Sequence, residues 1–273
     1  MKPILRDMQA DQRFRKAANA AGLNPDSRWV GGYVDYQWTH SRHVFEAIPI
    51  SIRGAKVLEF GCNFGASSIV LATIGAEVTG VDVNPSFIEV AKCNAARYGL
   101  EEKITFLHLD DTSAMPFADE SFDLISCISV LEYVPSEVRA RVQLEIDRVL
   151  KPGGMILVGG TSSRIWPREN HSGKWLIHYL PIWMTKSLRI ERGVTPWQVR
   201  FGFGKNYVNV DRSDQGAAFL KARDAMDIGA SRRLAFRAAN WVCQFLGVSA
   251  GLCMPNISVT LRKVRGEVSS LKR

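Results

Sequence analysis

The sequence lacks the features of secreted, metal-binding and membrane-spanning proteins. Its five cysteines are odd in number and form neither a Cys-x-x-Cys pair nor a zinc-type spacing. No stretch reaches the roughly 18 consecutive apolar residues of a membrane span, and the first residues lack the apolar core of a secretory signal. These absences predict free thiols, no metal site, and a cytoplasmic protein without a transmembrane segment.

Repeats, low-complexity stretches and nucleic-acid-binding modules are also missing. The 273 residues, 46% of them hydrophobic and 23% charged, are ordinary for a globular protein of one large domain with additions. A formal net charge of +8, concentrated toward the end of the chain, favours anionic partners. A solvated basic surface explains the same excess, so charge alone selects no partner.

Between residues 55 and 160, short apolar runs alternate with amphipathic stretches, a pattern typical of βα units in a mostly parallel sheet. Strands are predicted at 56–60, 77–81, 104–109, 122–128, 155–158, 206–210 and 256–264. Helices are predicted at 11–21, 39–48, 66–74, 85–98, 135–150, 215–226 and 232–246. The segment 151–154, Lys-Pro-Gly-Gly, is predicted to be a turn.

Residues at the strand ends suggest a nucleotide-like ligand, because ligands of doubly wound sheets lie beyond the carboxyl ends of the strands. The first strand is followed by a glycine-containing bend, 61–65, and Gly65 begins a helix whose free amides favour anionic groups. Asp82 closes the second strand, where a carboxylate accepts hydrogen bonds from a ribose diol. The dinucleotide fingerprint also requires glycine where Asn63 and Ala66 stand, so NAD is disfavoured against an adenosyl cofactor.

Three further residues fit the same cleft. Asp111, after the third strand, is placed to accept from an adenine amino group, with the Thr112 backbone at the ring edge. Glu59, charged inside the first strand, needs a partner such as a cationic amino-acid group. Ser129 ends the fourth strand at the predicted floor. Singly, these residues are also explained as turn formers, caps or ion-pair partners, but their occurrence at consecutive strand ends favours a cofactor site.

Four segments in this order, VLEFGCNFG, VTGVDVNP, LDDTSAMPFADESFDLISCISVLEYV and RVLKPGGMILVG, resemble the motifs of class I S-adenosylmethionine-dependent methyltransferases. The resemblance covers about residues 50–160. It implies an α/β, Rossmann-like fold: a seven-stranded, mostly parallel sheet with an antiparallel last strand and helices on both faces. Asn63 replaces the middle glycine of the family, and asparagine is the residue that best tolerates the left-handed backbone needed there.

The resemblance also implies S-adenosyl-L-methionine as the cofactor and assigns its contacts. The methionine part would meet Glu59 and the bend that contains Gly61, Cys62 and Gly65. The ribose would meet Asp82, with Val83 beside the adenine and Asp111 at its amino group. Thr112 and Ser129 complete the predicted cofactor site.

The chain is predicted to divide into an N-terminal helical cap (1–50), a cofactor-binding core (51–160), an aromatic acceptor-site insertion (161–205) and a C-terminal completion of the sheet (206–273). In the insertion, Trp166, Trp175 and Tyr179 are predicted to bind the acceptor, although a small satellite core would explain them equally well. His171 is the best candidate for a catalytic base, with a merely hydrogen-bonded histidine as the alternative.

Two segments outside the motifs carry expectations of their own. Tyr36 and Trp38 are candidates for closing the near side of the cofactor pocket, or for packing on the first helix. The helix at 232–246 has an apolar side with Leu234, Trp241 and Phe245. A basic amphipathic helix can lie on a membrane, but burial of the apolar side against the sheet is expected because the fold requires a helix there.

The sequence therefore predicts an enzyme that moves a methyl group from S-adenosylmethionine to a small molecule, on an oxygen of a natural product, sugar or lipid-linked intermediate. The alternatives are an RNA or protein methyltransferase, and a catalytically silent cofactor-binding partner protein. No Asn/Asp-Pro-Pro-Tyr-like tetrapeptide follows the fourth strand, so a base-amino acceptor is disfavoured and no nucleic-acid partner is expected. The acceptor and the oligomeric state are left open.

Overall fold

Seven strands form the sheet within the described residues: β1 (Lys56–Phe60), β2 (Glu77–Asp82), β3 (Ile104–His108), β4 (Phe122–Ile128), β5 (Leu150–Ser162), β6 (Tyr207–Asn209) and β7 (Asn256–Lys263). The computed structural model describes residues 2–3, 8–169, 172–181, 183–184 and 193–264. The strand order is β3-β2-β1-β4-β5-β7-β6, and β7 runs antiparallel to both of its neighbours. This confirms the predicted Rossmann-like, seven-stranded fold with an antiparallel last strand.

The central strands are almost continuously buried because apolar clusters cover both faces of the sheet. Successive residues of β1 point to opposite faces, so Val57 joins the cluster with Ile69 while Leu58 joins the cluster with Ile146. The register of β1 against β2 pairs Phe60 with Val81, which brings the ends of the two strands to the same edge.

Ten α-helices lie among the described residues: α1 (Met8–Ala20), α2 (Tyr33–Ala47), α3 (Ala66–Thr73), α4 (Pro85–Arg97), α5 (Ser136–Val149), α6 (Pro196–Phe201), α7 (Val210–Ser213), α8 (Ala217–Ala225), α9 (Ala230–Phe245) and α10 (Ala250–Cys253), with a 3₁₀ turn at Ile177–Tyr179. The N-terminal helices cover the core, α1 packing on α4 and α2 packing on α3 and α8. Local chemistry sets the start of α4: the Asn84 side chain accepts from the Ser86 amide at 3.0 Å, and Pro85 occupies the first turn of the helix. None of the described helices is both long and apolar enough to cross a bilayer.

Strand β5 and helix α2 begin earlier than predicted. The 151–154 segment is a bulge inside β5 rather than a turn before it: Phe122 of β4 pairs with Leu150, whereas Leu124 pairs with Met155. The residues between Leu150 and Met155 are accommodated as an irregularity in the ladder, with Gly153 at a φ of +85°. Helix α2 begins at Tyr33 instead of residue 39, which adds the turns that carry Tyr33 and Tyr36.

The predicted burial of the apolar side of α9 is wrong. Leu234, Trp241 and Phe245 are exposed by 69%, 71% and 82%. The polar side of the helix packs on the protein, because Asn240 donates to the Gln215 carbonyl at 3.0 Å and Gln244 donates to the Asp211 carbonyl at 2.8 Å. Both carbonyls belong to the segment 211–216. The side-chain amides of α9 supply the hydrogen-bond donors that these carbonyls require.

Candidate cofactor and acceptor site

A cavity of about 1190 Å³ opens at the carboxyl edge of the sheet. Six of the nine predicted cofactor residues line it: Gly61, Asp82, Val83, Asp111, Thr112 and Ser129. They follow or end β1, β2, β3 and β4, so the parallel arrangement of these strands brings them together.

The bend after β1 is held against the end of β2. The amides of Gly61 and Cys62 both donate to the Val81 carbonyl at 2.9 Å. Gly61 has a φ of +72°, and a Cβ there would lie 2.5 Å from the Val130 side chain. Because no side chain fits at this point, a ligand on the bend meets bare backbone. Asn63 has a φ of 51°, which confirms the predicted left-handed backbone.

The Asp82 carboxylate is fixed by two backbone amides. Its Oδ2 accepts from the Asn63 amide at 2.9 Å, and its Oδ1 accepts from the Asn84 amide at 3.0 Å. Each carboxylate oxygen keeps further acceptor capacity, so the group can still receive two hydroxyl donors. The bond to Asn63 couples the orientation of this carboxylate to the shape of the glycine-containing bend.

The adenine side of the predicted site lies at the exposed rim of the cavity. Asp111 Oδ1 accepts from the Ser113 amide at 2.7 Å, and hydrogen bonds from Ser113 lower the pKa of this carboxyl. Val83 is 58% exposed. The rim therefore presents an ionised acceptor and an apolar surface side by side, the pair of contacts that an adenine amino group and ring face require.

Ser129 forms the floor through a strained backbone. Its φ is 54°, its amide donates to the Gly159 carbonyl at 2.8 Å, and its hydroxyl donates to the Gly160 carbonyl at 3.2 Å. The side chain is thus engaged with β5.

Glu59, Cys62 and Gly65 do not line the cavity but lie immediately behind it. Glu59 is 3% exposed and accepts a hydrogen bond from the Ser68 hydroxyl. Burial, with a contribution from the Asp82 charge, raises the pKa of Glu59 to about 7. Burial also raises the pKa of the Cys62 thiol, which is therefore neutral. A Cβ on Gly65 would lie 2.7 Å from the Phe106 ring, so its role here is close packing.

The cavity lining also includes an aromatic wall, which consists of Trp29, Tyr33, Tyr36 and His40. The Tyr33 and Tyr36 rings stack at 5.8 Å, and the Tyr36 and His40 rings stack at 4.2 Å. Trp29 meets Tyr36 edge-on at 5.2 Å. Burial raises the pKa of Tyr33 to about 12, so its hydroxyl stays protonated. Of these residues, the sequence pointed only to Tyr36.

The cavity is also lined by residues from three further segments: Tyr133, Arg223, Met226, Asn256 and Ser258. They come from the β4–α5 loop, from the end of α8 and from β7. No motif or periodicity links these segments, so these residues could not be found from the sequence. Their proximity depends on the packing of α8 on α2.

The predicted acceptor residues occupy other positions. Trp166, Trp175 and Tyr179 are not among the lining residues and are exposed by 39%, 66% and 56%. The Trp166 indole donates to the Cys253 carbonyl and the Tyr179 hydroxyl to the Ile165 carbonyl, each at 2.7 Å. His171 lies outside the described residues, so its role and those of the three aromatics stay predictions.

The two candidates for closing the cofactor pocket, Tyr36 and Trp38, lie in different places. Tyr36 lines the cavity, whereas Trp38 does not and lies under the Arg42 guanidinium at 4.6 Å. Glu132, which follows β4, is buried, and its Oε1 accepts from the Ser162 amide at 3.2 Å.

Comparison with known proteins places this site in a family. Residues 58–158 match the model of a methyltransferase domain. The relatives include methyltransferase GfsG of Streptomyces halstedii, 36% identical over 50% of this chain and 48% of that protein. They also include a sterol 4-C-methyltransferase of Caenorhabditis elegans, 34% identical over 42% of this chain and 34% of that protein. A ubiquinone biosynthesis O-methyltransferase of Stutzerimonas stutzeri is 36% identical over 39% of this chain and 44% of that protein.

The chain spans less than half the length of these curated relatives. Among solved structures, the [4+2]-cyclase SpnF covers 94% of this chain and 96% of its own, with a TM-score of 0.50 and 20% identity. A likeness at this identity shows the shared fold alone. The matched domain, the ordered motifs and the sheet topology together show that residues 58–158 form a class I S-adenosylmethionine-dependent methyltransferase domain.

Proposed function

We propose that the chain binds S-adenosylmethionine at the Asp82 end of the cavity and transfers its methyl group to a small molecule held against the aromatic wall. One observation carries this proposal: a single cavity joins six predicted cofactor residues to the aromatic wall. Donor and acceptor would therefore share one space, which methyl transfer requires.

The residues present fit the cofactor. Gly61 carries no side chain and lines the cavity, so the bend presents bare backbone to a ligand. The amide-fixed Asp82 carboxylate suits the ribose diol, and the Asp111 carboxylate suits the adenine amino group. Behind the bend, the buried Glu59 carboxyl would gain a counter-charge from the cationic amino-acid end of the cofactor.

When bound by Asp82, Asp111 and the Gly61 bend, the cofactor would supply an electrophilic methyl group to the acceptor oxygen and would be left as the neutral thioether. A base of the protein would take the acceptor proton. The protein has to align the acceptor and exclude water, and the aromatic wall offers flat apolar surfaces for both tasks.

Two histidines are proposed as alternative bases. His171 is the choice made from the sequence. His40 lines the cavity, and its Nδ1 lies 2.8 Å from the Tyr36 carbonyl, so Nε2 is the nitrogen available to accept a proton. Loss of the base should lower kcat about 100-fold or more, so His40→Gln and His171→Gln variants identify which histidine acts.

The proposed acceptor atom is an oxygen of a natural product, sugar or lipid-linked intermediate. The O-methyltransferase among the relatives supports oxygen, and the relatives named for sterol methylation and ubiquinone biosynthesis support a small molecule over a macromolecule. The test is incubation of the protein with methyl-labelled cofactor and separate small-molecule, RNA and protein fractions of the cells that encode it. We expect label in an organic small molecule. Label in RNA or protein alone would replace this acceptor class, and no label in any fraction would contradict methyl transfer.

A further inference from the structure

Arg223 brings a positive charge to the lining of the cavity. It lies near the end of α8 and lines the cavity together with Met226, which follows the same helix. Asn256 and Ser258 of β7 line the same space. This arginine is thus separated in sequence from every residue assigned to the cofactor.

The Arg223 guanidinium is largely buried and forms a single hydrogen bond among the described residues. Its central carbon lies 3.9 Å from the centre of the Phe219 ring, and Nη1 donates to the Phe219 carbonyl at a long 3.4 Å. Among the residues that the structure describes, no carboxylate lies within 4.0 Å of it to form a salt bridge. Burial lowers the pKa of Arg223 to about 10, which still leaves the group charged at neutral pH.

The neighbouring carboxylates are committed elsewhere. Asp211 accepts from the Ser249 hydroxyl at 2.7 Å, and burial raises its pKa to about 6. Its charge attracts that of Arg223, but the two groups do not form a salt bridge within 4.0 Å. Asp224 pairs with Arg237 at 2.7 Å. Asp214 accepts from the amides of Gly216 and Ala218, both at 2.9 Å. A charge taken out of water costs free energy unless a partner compensates it, and within the described ranges Arg223 has no carboxylate in direct contact.

We propose that Arg223 binds an anionic oxygen group of the methyl acceptor, a carboxylate or a phosphate, while a flat ring of the same molecule lies against Tyr33 and Tyr36. This assignment rests on the proposed methyl transfer and names the acceptor class. A guanidinium presents paired N–H donors that match a carboxylate or phosphate, so the contact would be directional as well as electrostatic. The stacked tyrosines supply the surface for the ring.

The test compares three probes that share one ring: 4-hydroxybenzoate, 4-hydroxyphenyl phosphate and the neutral 4-hydroxybenzamide. Each is titrated calorimetrically into protein saturated with S-adenosylhomocysteine, for the natural chain and for Arg223→Gln, Arg223→Lys and Arg212→Gln. Arg212 is the matched control because it bonds the Gln244 side chain at 2.8 Å and does not line the cavity.

We expect one of the two anions to bind at least about tenfold more tightly than the amide, because hydrogen bonds between charged groups are stronger than those to a neutral group. Arg223→Gln should remove that preference, Arg223→Lys should restore part of it, and Arg212→Gln should leave it unchanged. The better anion identifies the group. Equal binding of all three probes, no binding of any, or a preference that survives Arg223→Gln would overturn the assignment.

The affinity for S-adenosylhomocysteine, measured in the same samples, separates this inference from the proposed function. If the natural chain and Arg223→Gln bind it equally while the anions show no preference, only the acceptor class is wrong. If the natural chain does not bind it at all, the proposed function itself fails.

Discussion

At the scale of single residues, the buried carboxyl of Glu59 couples cofactor binding to pH. Its pKa of about 7 exceeds its ordinary value because burial disfavours the charge. A cationic group bound nearby favours the ionised form, so binding below pH 7 must release a proton. The affinity for S-adenosylhomocysteine should therefore fall as the pH is lowered from 7 to 5, by at most about tenfold per pH unit.

The control for this pH dependence is Glu59→Gln, which cannot ionise and should flatten the profile over the same range. The stability of the free protein gives the opposite sign. The folded state holds a proton that the unfolded chain loses near pH 4.5, so the contribution of Glu59 is full below that pH and is lost as the pH rises through about 7. Identical pH profiles for the natural chain and Glu59→Gln would show that this carboxyl does not respond to the ligand.

Gly61 offers a second test, because its backbone and its surroundings both exclude a side chain. Gly61→Ala should lower both stability and cofactor affinity, since the new Cβ would lie 2.5 Å from Val130. Gly54→Ala is the matched control: its φ is +76° and nothing lies within 4 Å of its added Cβ, so it carries only the backbone cost of about 1 kcal/mol.

The two alanine variants are compared by urea denaturation and by titration with S-adenosylhomocysteine. Gly61→Ala should be the less stable of the two, and adding Val130→Ala should recover part of the loss. Equal stability of Gly61→Ala and Gly54→Ala would mean that the bend accommodates the added Cβ at no cost in stability, which would contradict the prediction.

The residues recovered from the sequence are those tied to a strand end. Gly61, Asp82 and Asp111 follow directly from where β1, β2 and β3 stop, because parallel strands bring these positions to one edge. His40 and Arg223 could not be found in this way. They reach the cavity only through the packing of α2 and α8, which depends on contacts between distant segments.

At the scale of elements, α9 shows what periodicity predicts and what it leaves open. The alternation of apolar and polar residues correctly predicted an amphipathic helix but gave the wrong side to the interior. The choice was made by the carbonyls of Asp211 and Gln215, which accept from Gln244 and Asn240. Likewise, proline and glycine in 151–154 predicted an interruption of β5 but could not distinguish a bulge from a turn.

The exposed side of α9 leads to a stability prediction. Trp241→Gln should change the free energy of unfolding by less than about 0.5 kcal/mol, because the side chain is 71% exposed. Phe219→Ala on the adjacent α8, buried to 3% exposure, should cost about 3–5 kcal/mol. Urea denaturation of both variants measures these changes. If Trp241→Gln lowered the free energy of unfolding as much as Phe219→Ala, the apolar side of α9 would have to be buried, which would contradict the structure.

At the scale of the whole molecule, the sheet order places four strand ends under one wall. The family motifs describe the βα units between β1 and β5, where the predicted strands β1 to β4 match the structure to within one residue. The lining residues of α2, α8 and β7, where we propose that the acceptor binds, lie outside the motifs. Sequence patterns shared across a family therefore locate the cofactor, whereas the acceptor has to be inferred from packing.

The most direct measurement is a calorimetric titration of S-adenosylhomocysteine into the natural chain, Asp82→Ala and Glu77→Ala. Glu77 begins the same strand that Asp82 ends, so it carries the same charge to the opposite edge of the sheet. Asp82→Ala should weaken binding by about 1–3 kcal/mol through lost hydrogen bonds to a charged group, and Glu77→Ala should leave it unchanged. Equal affinities for all three proteins, or no binding by the natural chain at millimolar ligand, would contradict a cofactor site at the end of β2.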